Sequence, residues 1–214
     1  MNEVKMDKRP YRSPLRAEQA EATRHRIIDA GLALFAERGY PGTSVTEIAR
    51  AAGVSVETIY GSVGSKRGII DALLAEVETE RVAERAREAL VARGGGAAAA
   101  LDVLAELSVA FWQQHGTLIR VLRNGVGDPE IEAAWVERQN GRRAIIHGLV
   151  ESWPAGALRV GLDAGQAADV AWAMTSDEVH ELLVGLRGWP PEAFLAWLRS
   201  TLAREILAEP ASAS

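Results

Sequence analysis

The residues best placed to do chemistry in this 214-residue chain lie between Ser44 and Lys66. Ser44 and Glu47 have capping-box spacing: the serine hydroxyl accepts from the Glu47 amide and the carboxylate reaches back to Ser44. Ser55 is placed to cap a second short helix. Gly53, between the two, supplies the positive φ of a tight turn, and Ala49 is small enough for the second helix to cross close by. Ile48, Val54 and Ile59 are the contacts that fix the crossing. Val56, Glu57, Thr58 and Tyr60 are then left on an outer face, free to enter a DNA major groove.

Other chemistries fail on spacing. The stretch from Gly61 to Lys66 looks like a phosphate loop, but it lacks the GxxxxGK[ST] pattern and no strand precedes it. There is no HExxH, no GxSxG elbow and no GxGxxG after a strand. The chain has no cysteine and only four histidines, and no two of these stand three or four residues apart, so no metal site is expected. The reading is of a non-enzyme without metal or cofactor.

The elements that must hold these residues all read as helices. Apolar residues recur at helical spacing and no convincing run alternates as a strand would. Helices are expected over about 20–38, 45–52, 55–62, 65–92, 97–115, 117–124, 128–151, 163–186 and 191–207. The fold class is therefore all-α with about nine helices. Residues 1–19 are expected to be a flexible basic arm carrying Lys5, Lys8, Arg9, Arg12 and Arg16, residues 20–67 a three-helix head, 68–208 a larger helical body, and 209–214 a disordered tail. Residues 1–67 carry 11 Lys+Arg against 8 Asp+Glu, whereas the rest carries 13 against 21. A basic head on an acidic body suits a polyanion met by the head alone. No apolar run reaches the ~20 residues of a membrane span, and the N-terminus lacks an apolar leader, so a cytoplasmic protein is expected.

Residues 24–73 resemble the DNA-binding domain of the tetracycline-repressor (TetR) family. The likeness is carried by Phe-Ala-Glu-Arg-Gly-Tyr at 35–40, Thr-Ser-Val-Thr-Glu-Ile-Ala at 43–49, Ala-Gly-Val-Ser at 52–55, Ile-Tyr at 59–60 and Gly-Ser-Lys at 64–66. Gly61 and Val63 depart from the pattern, where members usually carry a larger residue and a phenylalanine. The resemblance implies that Ser44, Thr46 and Ser55 face phosphates at helix N-termini, that Tyr60 meets a phosphate or a thymine methyl, and that Lys66 meets phosphate. Val56, Glu57 and Thr58 are then the candidates for base edges, Glu57 accepting from a cytosine amino group.

In the body, Val179, Leu182, Leu183 and Leu186, with Leu195, Leu198, Leu202 and Ile206, form two apolar stripes. A buried core could use them equally well; the resemblance favours a two-fold dimer interface, as a reader of palindromic DNA operators needs. Phe111, Trp112, His115, Trp135, Met174 and Asp177 are the candidates for a cavity taking a small hydrophobic or aromatic effector. The function expected is a homodimeric DNA-binding regulator, a repressor released by that effector. The alternative is an all-α small-molecule binding protein or enzyme with a vestigial helix-turn-helix.

Overall fold

A computed structural model describes residues 14–77, 81–125 and 127–209, and among these no strand occurs. The chain divides into two compact units, with the boundary between Leu74 and Ala75. The first unit holds α1 (Pro14–Arg38), α2 (Val45–Ala52), α3 (Val56–Val63) and most of α4 (Lys66–Val77). Its apolar centre gathers one to three residues from each: Ile27, Ile28 and Phe35 from α1, Ile48 and Ala49 from α2, Ile59 from α3, Ile69, Ile70 and Leu73 from α4. Each large side chain so buried contributes about 1.5–3 kcal/mol. Ile69, Ile70 and Leu73 explain why the unit closes at Leu74 rather than at the expected 67.

The first helix begins at Pro14, six residues before the expected start. Proline suits the first helical turn, and nothing between Leu15 and Arg38 breaks the helix. Residues 14–19 are thus helical rather than part of an arm, while Lys5, Lys8, Arg9 and Arg12 lie outside the described residues, as does the tail at 210–214. The helix expected over 65–92 is described as α4 and α5 (Arg81–Ala92), on either side of residues 78–80, which also lie outside the description.

The second unit continues with α6 (Gly96–Asn124), α7 (Pro129–Glu151), α8 (Ala164–Met174), α9 (Asp177–His180), a π-helical turn (Glu181–Leu186) and α10 (Pro191–Ile206). Two helices were expected over 97–124, yet α6 runs unbroken through Gly116. A lone helix-interior glycine costs only about 1 kcal/mol relative to alanine, less than the apolar face of α6 recovers on burial. The single helix expected over 163–186 is instead divided. The Thr175 hydroxyl donates to the Ala171 carbonyl at 2.7 Å, and Ser176 recaps the chain by accepting from the Val179 amide.

The core of this unit joins α6, α7, α8 and α10 through Leu101, Ala105, Val109, Ile146, Val150, Ala167, Ala171, Phe194, Leu198, Leu202 and Ile206. Leu198, Leu202 and Ile206 are each 0% exposed in the single chain. They have no surface to offer a partner, and their assignment to a dimer interface is corrected: that stripe faces its own core. Leu195, Val179 and Leu183 are half-buried against the same core. Leu182 and Leu186 are exposed, at 55% and 70%.

Candidate nucleic-acid interface

The geometry of α2, the turn and α3 follows from local chemistry. Ser44 Oγ accepts from the Glu47 amide at 3.2 Å, and Glu47 Oε2 accepts from the Ser44 amide at 2.9 Å. Gly53 closes α2 at φ +67°, its amide donating to the carbonyls of Ala49 and Arg50. Ser55 then starts α3, its hydroxyl accepting from the Thr58 amide at 3.2 Å. Ile59 is wholly buried and anchors the inner side of α3, while Glu57, Thr58 and Tyr60 are exposed and Val56 is half-buried. At the far end, Arg24 Nη1 donates to the Ser62 carbonyl at 3.2 Å, tying α1 to the last turn of α3.

Several polar groups on this surface already have partners within the chain. The Ser55 and Thr58 hydroxyls stand 3.1 Å apart and share a hydrogen bond. The Glu57 carboxyl is held below the usual carboxylate range by its own backbone amide, then by the Ser55 hydroxyl. It therefore meets a partner as a pure acceptor at neutral pH. The Ser44 hydroxyl donates to Glu47 Oε2 at 2.7 Å, and Arg38 Nη1 donates to Glu47 Oε1 at 2.8 Å. A phosphate arriving at the N-terminus of α2 must compete there with the Glu47 carboxylate. Thr46 and Arg50 are exposed.

Lys66 does not stand out into solvent. Its Nζ donates to the carbonyls of Tyr40 at 2.9 Å and Thr43 at 3.2 Å, and lies 4.0 Å over the centre of the Tyr40 ring. This lysine joins the start of α4 to the turn that follows α1, and two of its three N–H groups serve that purpose. Arg67 pairs with Asp71 at 2.7 Å.

The residues expected to line an effector site fall into separate places. Phe111 packs edge-on against Trp112 at 4.7 Å and lies 5.1 Å from His115, with the Arg138 guanidinium over its ring. Asp177 instead pairs with Arg123, at 3.2 Å, twelve residues further along α6 and so about 18 Å away. Met174 packs against the core, and Trp135 is half-buried. None of these six lines the 730 Å³ depression beside Pro129, Ala133, Val136 and Asn140 or the 560 Å³ one beside Trp153, Leu158 and Leu162.

Near Asp177 the structure adds a residue that sequence reading passed over. Arg142 donates to the Thr175 carbonyl and hydroxyl, at 3.3 and 2.9 Å, and to the Trp172 carbonyl at 2.8 Å. Burial, followed by repulsion from Arg138, pulls its pKa down to about 10. In the sequence it is half of an Arg-Arg pair in a polar helix, which reads as solvated surface. Burial, with Glu178 nearby, pushes the Asp177 carboxyl up to about 6. Its Oδ1, Trp172 Nε1 and His180 Nε2 are all buried with no hydrogen-bond partner.

The family description "Bacterial regulatory proteins, tetR family" matches residues 27–73, the segment that contains the second half of α1, all of α2 and α3, and the start of α4. The HTH-type transcriptional regulator YvkB of Bacillus subtilis is 39% identical over 59 residues, which span 28% of this chain and 31% of that protein. The chain thus aligns with less than a third of that relative's length. The HTH-type transcriptional regulator UidR of Escherichia coli K12 is 24% identical over 173 residues, covering 78% of this chain and 81% of its own. Among solved structures, NalD, the secondary repressor of the MexAB-OprM multidrug efflux pump in Pseudomonas aeruginosa, superposes with a TM-score of 0.70 at 23% identity, over 89% of this chain and 98% of that one. Helix order, helix-turn-helix and matched segment agree: residues 27–73 match the bacterial tetR family of regulatory proteins, and the fold is similar to that of NalD.

Proposed function

We propose that this protein is a homodimeric, sequence-specific DNA-binding regulator, a repressor that a small hydrophobic or aromatic ligand releases from a palindromic operator. The observation that carries the reading is α3, which is anchored by the buried Ile59 while Glu57, Thr58 and Tyr60 point outward from a capped N-terminus. That is the form of a helix that reads a major groove. Ser44, Thr46 and Ser55 would add phosphate contacts. The role of NalD as a repressor supports the sign of regulation. Exposed Leu182 and Leu186 support a partner on that side of the second unit, and the unpartnered Asp177 Oδ1, Trp172 Nε1 and His180 Nε2 support a ligand that supplies hydrogen-bonding groups. Such a ligand would shift the balance between operator-competent and incompetent states. We place the protein in the cytoplasm, where operator DNA is met.

The test is selection from a randomised duplex pool, followed by a salt series on the enriched sequence. An enriched palindrome, with affinity falling steeply as salt rises, is the expected result. A folded protein that enriches nothing would move the assignment to a small-molecule binding protein with a vestigial helix-turn-helix.

A further inference from the structure

The last four carbonyls of a helix find no partner inside it. In α3 they belong to Tyr60, Gly61, Ser62 and Val63. The turn that follows serves two of them: the Gly64 amide donates to the Tyr60 carbonyl at 3.1 Å, and the Ser65 amide to the Val63 carbonyl at 2.9 Å. The Ser62 carbonyl is served from far off, by Arg24 Nη1, 38 residues upstream on α1. The last turn of α3 has no basic residue of its own, so Arg24 also brings the positive charge that a helix C-terminus favours.

That end of α3 is where packing is thinnest. Ile59 is the one wholly buried residue of the helix, Val63 is half-buried, and Gly61 adds backbone freedom between them. A short helix gripped by one buried side chain can pivot about it. A second attachment at Ser62, three residues further on, removes that freedom. Arg24 is a firm place to attach from. It precedes the buried Ile27 and Ile28 by three and four residues, so its root lies on the packed face of α1.

We propose that Arg24 is a positioning residue for base reading: by holding the Ser62 carbonyl it fixes the direction of α3 about Ile59, and so sets how sharply Glu57, Thr58 and Tyr60 distinguish one base pair from another. It touches no base itself. Hydrogen bonds to base edges weaken steeply when their angle departs from linear, whereas attraction to phosphates tolerates a small rotation. Loosening α3 therefore takes away discrimination before it takes away general affinity for DNA. This rests on the DNA-binding reading above.

The experiment compares wild type, Arg24→Met and Arg24→Lys on the duplex that wild type selects and on a random duplex, each over a salt series, with amide hydrogen exchange on the free proteins. Arg24→Met keeps an aliphatic stem and loses the donor. It is expected to bind the selected duplex about tenfold more weakly and the random duplex less than about threefold more weakly, with the salt slope on random DNA unchanged. Arg24→Lys keeps a charged donor and should fall between Arg24→Met and wild type. Exchange in Arg24→Met should quicken over the last turn of α3 and stay as in wild type over α2. Unchanged discrimination overturns the inference and leaves the DNA-binding reading intact. Equal losses on both duplexes with a slope reduced by about one also overturn it, because Arg24 is then a phosphate contact. So does faster exchange over the whole N-terminal unit, or an Arg24→Met protein that does not fold, since the arginine then serves the fold. A wild-type protein that binds no duplex overturns both readings.

Discussion

Replacing Lys66 by methionine keeps the aliphatic stem and removes the charge, which separates two roles for this residue. In the structure the ammonium donates to the Tyr40 and Thr43 carbonyls and lies over the Tyr40 ring. Hydrogen bonds from a charged donor contribute about 1.5–3 kcal/mol each, and a half-exposed cation over a ring about 0.5–1 kcal/mol. Lys66 is half-buried, so water can reach the abandoned carbonyls, and the low end applies. Two such bonds and the ring contact come to about 3.5 kcal/mol at that end, and water at the freed carbonyls recovers part of it, so the expected loss is about 2 kcal/mol. In a unit of this size such a loss lowers the melting temperature by roughly 8 °C or more. The assay pairs thermal unfolding with the salt dependence of DNA binding. A lysine that holds the fold leaves the slope of log affinity against log salt unchanged, whereas a lost phosphate contact reduces that slope by about one. Unchanged melting together with a slope reduced by one would refute the reasoning and return Lys66 to the DNA surface.

Three further predictions concern groups with defined partners. Asp177 titrates near 6 in the fold, above its ordinary value, so its contribution to stability is full below about pH 4 and is lost as pH rises through 6; Asp177→Asn should flatten that part of the melting-against-pH curve, and an identical curve would count against the burial argument. Glu47 is held below its ordinary value, chiefly by the Ser44 amide, so its contribution is present at neutral pH and is lost as pH falls below about 4.5. Glu47→Gln should lower the neutral-pH melting temperature and weaken the acid limb, while Ser44→Ala should cost about 1 kcal/mol through loss of the cap. Arg142→Met leaves the Trp172 and Thr175 carbonyls without their donor and should cost about 3 kcal/mol in unfolding experiments; a cost below about 1 kcal/mol would mean that water replaces the guanidinium.

What the sequence made legible was the part with local causes. The Ser44–Glu47 box, Gly53 and the Ser55 cap each act within four residues, and the structure has all three where the spacing predicts them. The helix expected from 128 likewise starts on a local cause, the Asp128 cap with Pro129 in the first turn of α7. Contacts between distant residues were not legible. Lys66 reaches carbonyls 26 and 23 residues upstream, and no pattern near Lys66 announces it. The stripe of Leu198, Leu202 and Ile206 showed that one face of α10 is covered but not by what, because an apolar face against its own core and one against a partner have the same period. The π-helical turn at Glu181–Leu186 departs from that period altogether and splits a stripe drawn on it, leaving Leu182 and Leu186 outside and Leu183 half-buried.

Arg142 reaches the place where α8 ends and α9 begins, and its hydrogen bonds all fall on the α8 side. Its donors close on the last carbonyls of α8 and on Thr175, while the guanidinium faces the Trp172 ring. Helices α7 and α8 are thereby riveted into one stiff plate. Beyond Ser176 the chain answers instead to Arg123, through Asp177 on α9. The second unit thus carries two attachments side by side, α8 to α7 through Arg142 and α9 to α6 through Arg123 and Asp177, with the buried Thr175 and Ser176 between them.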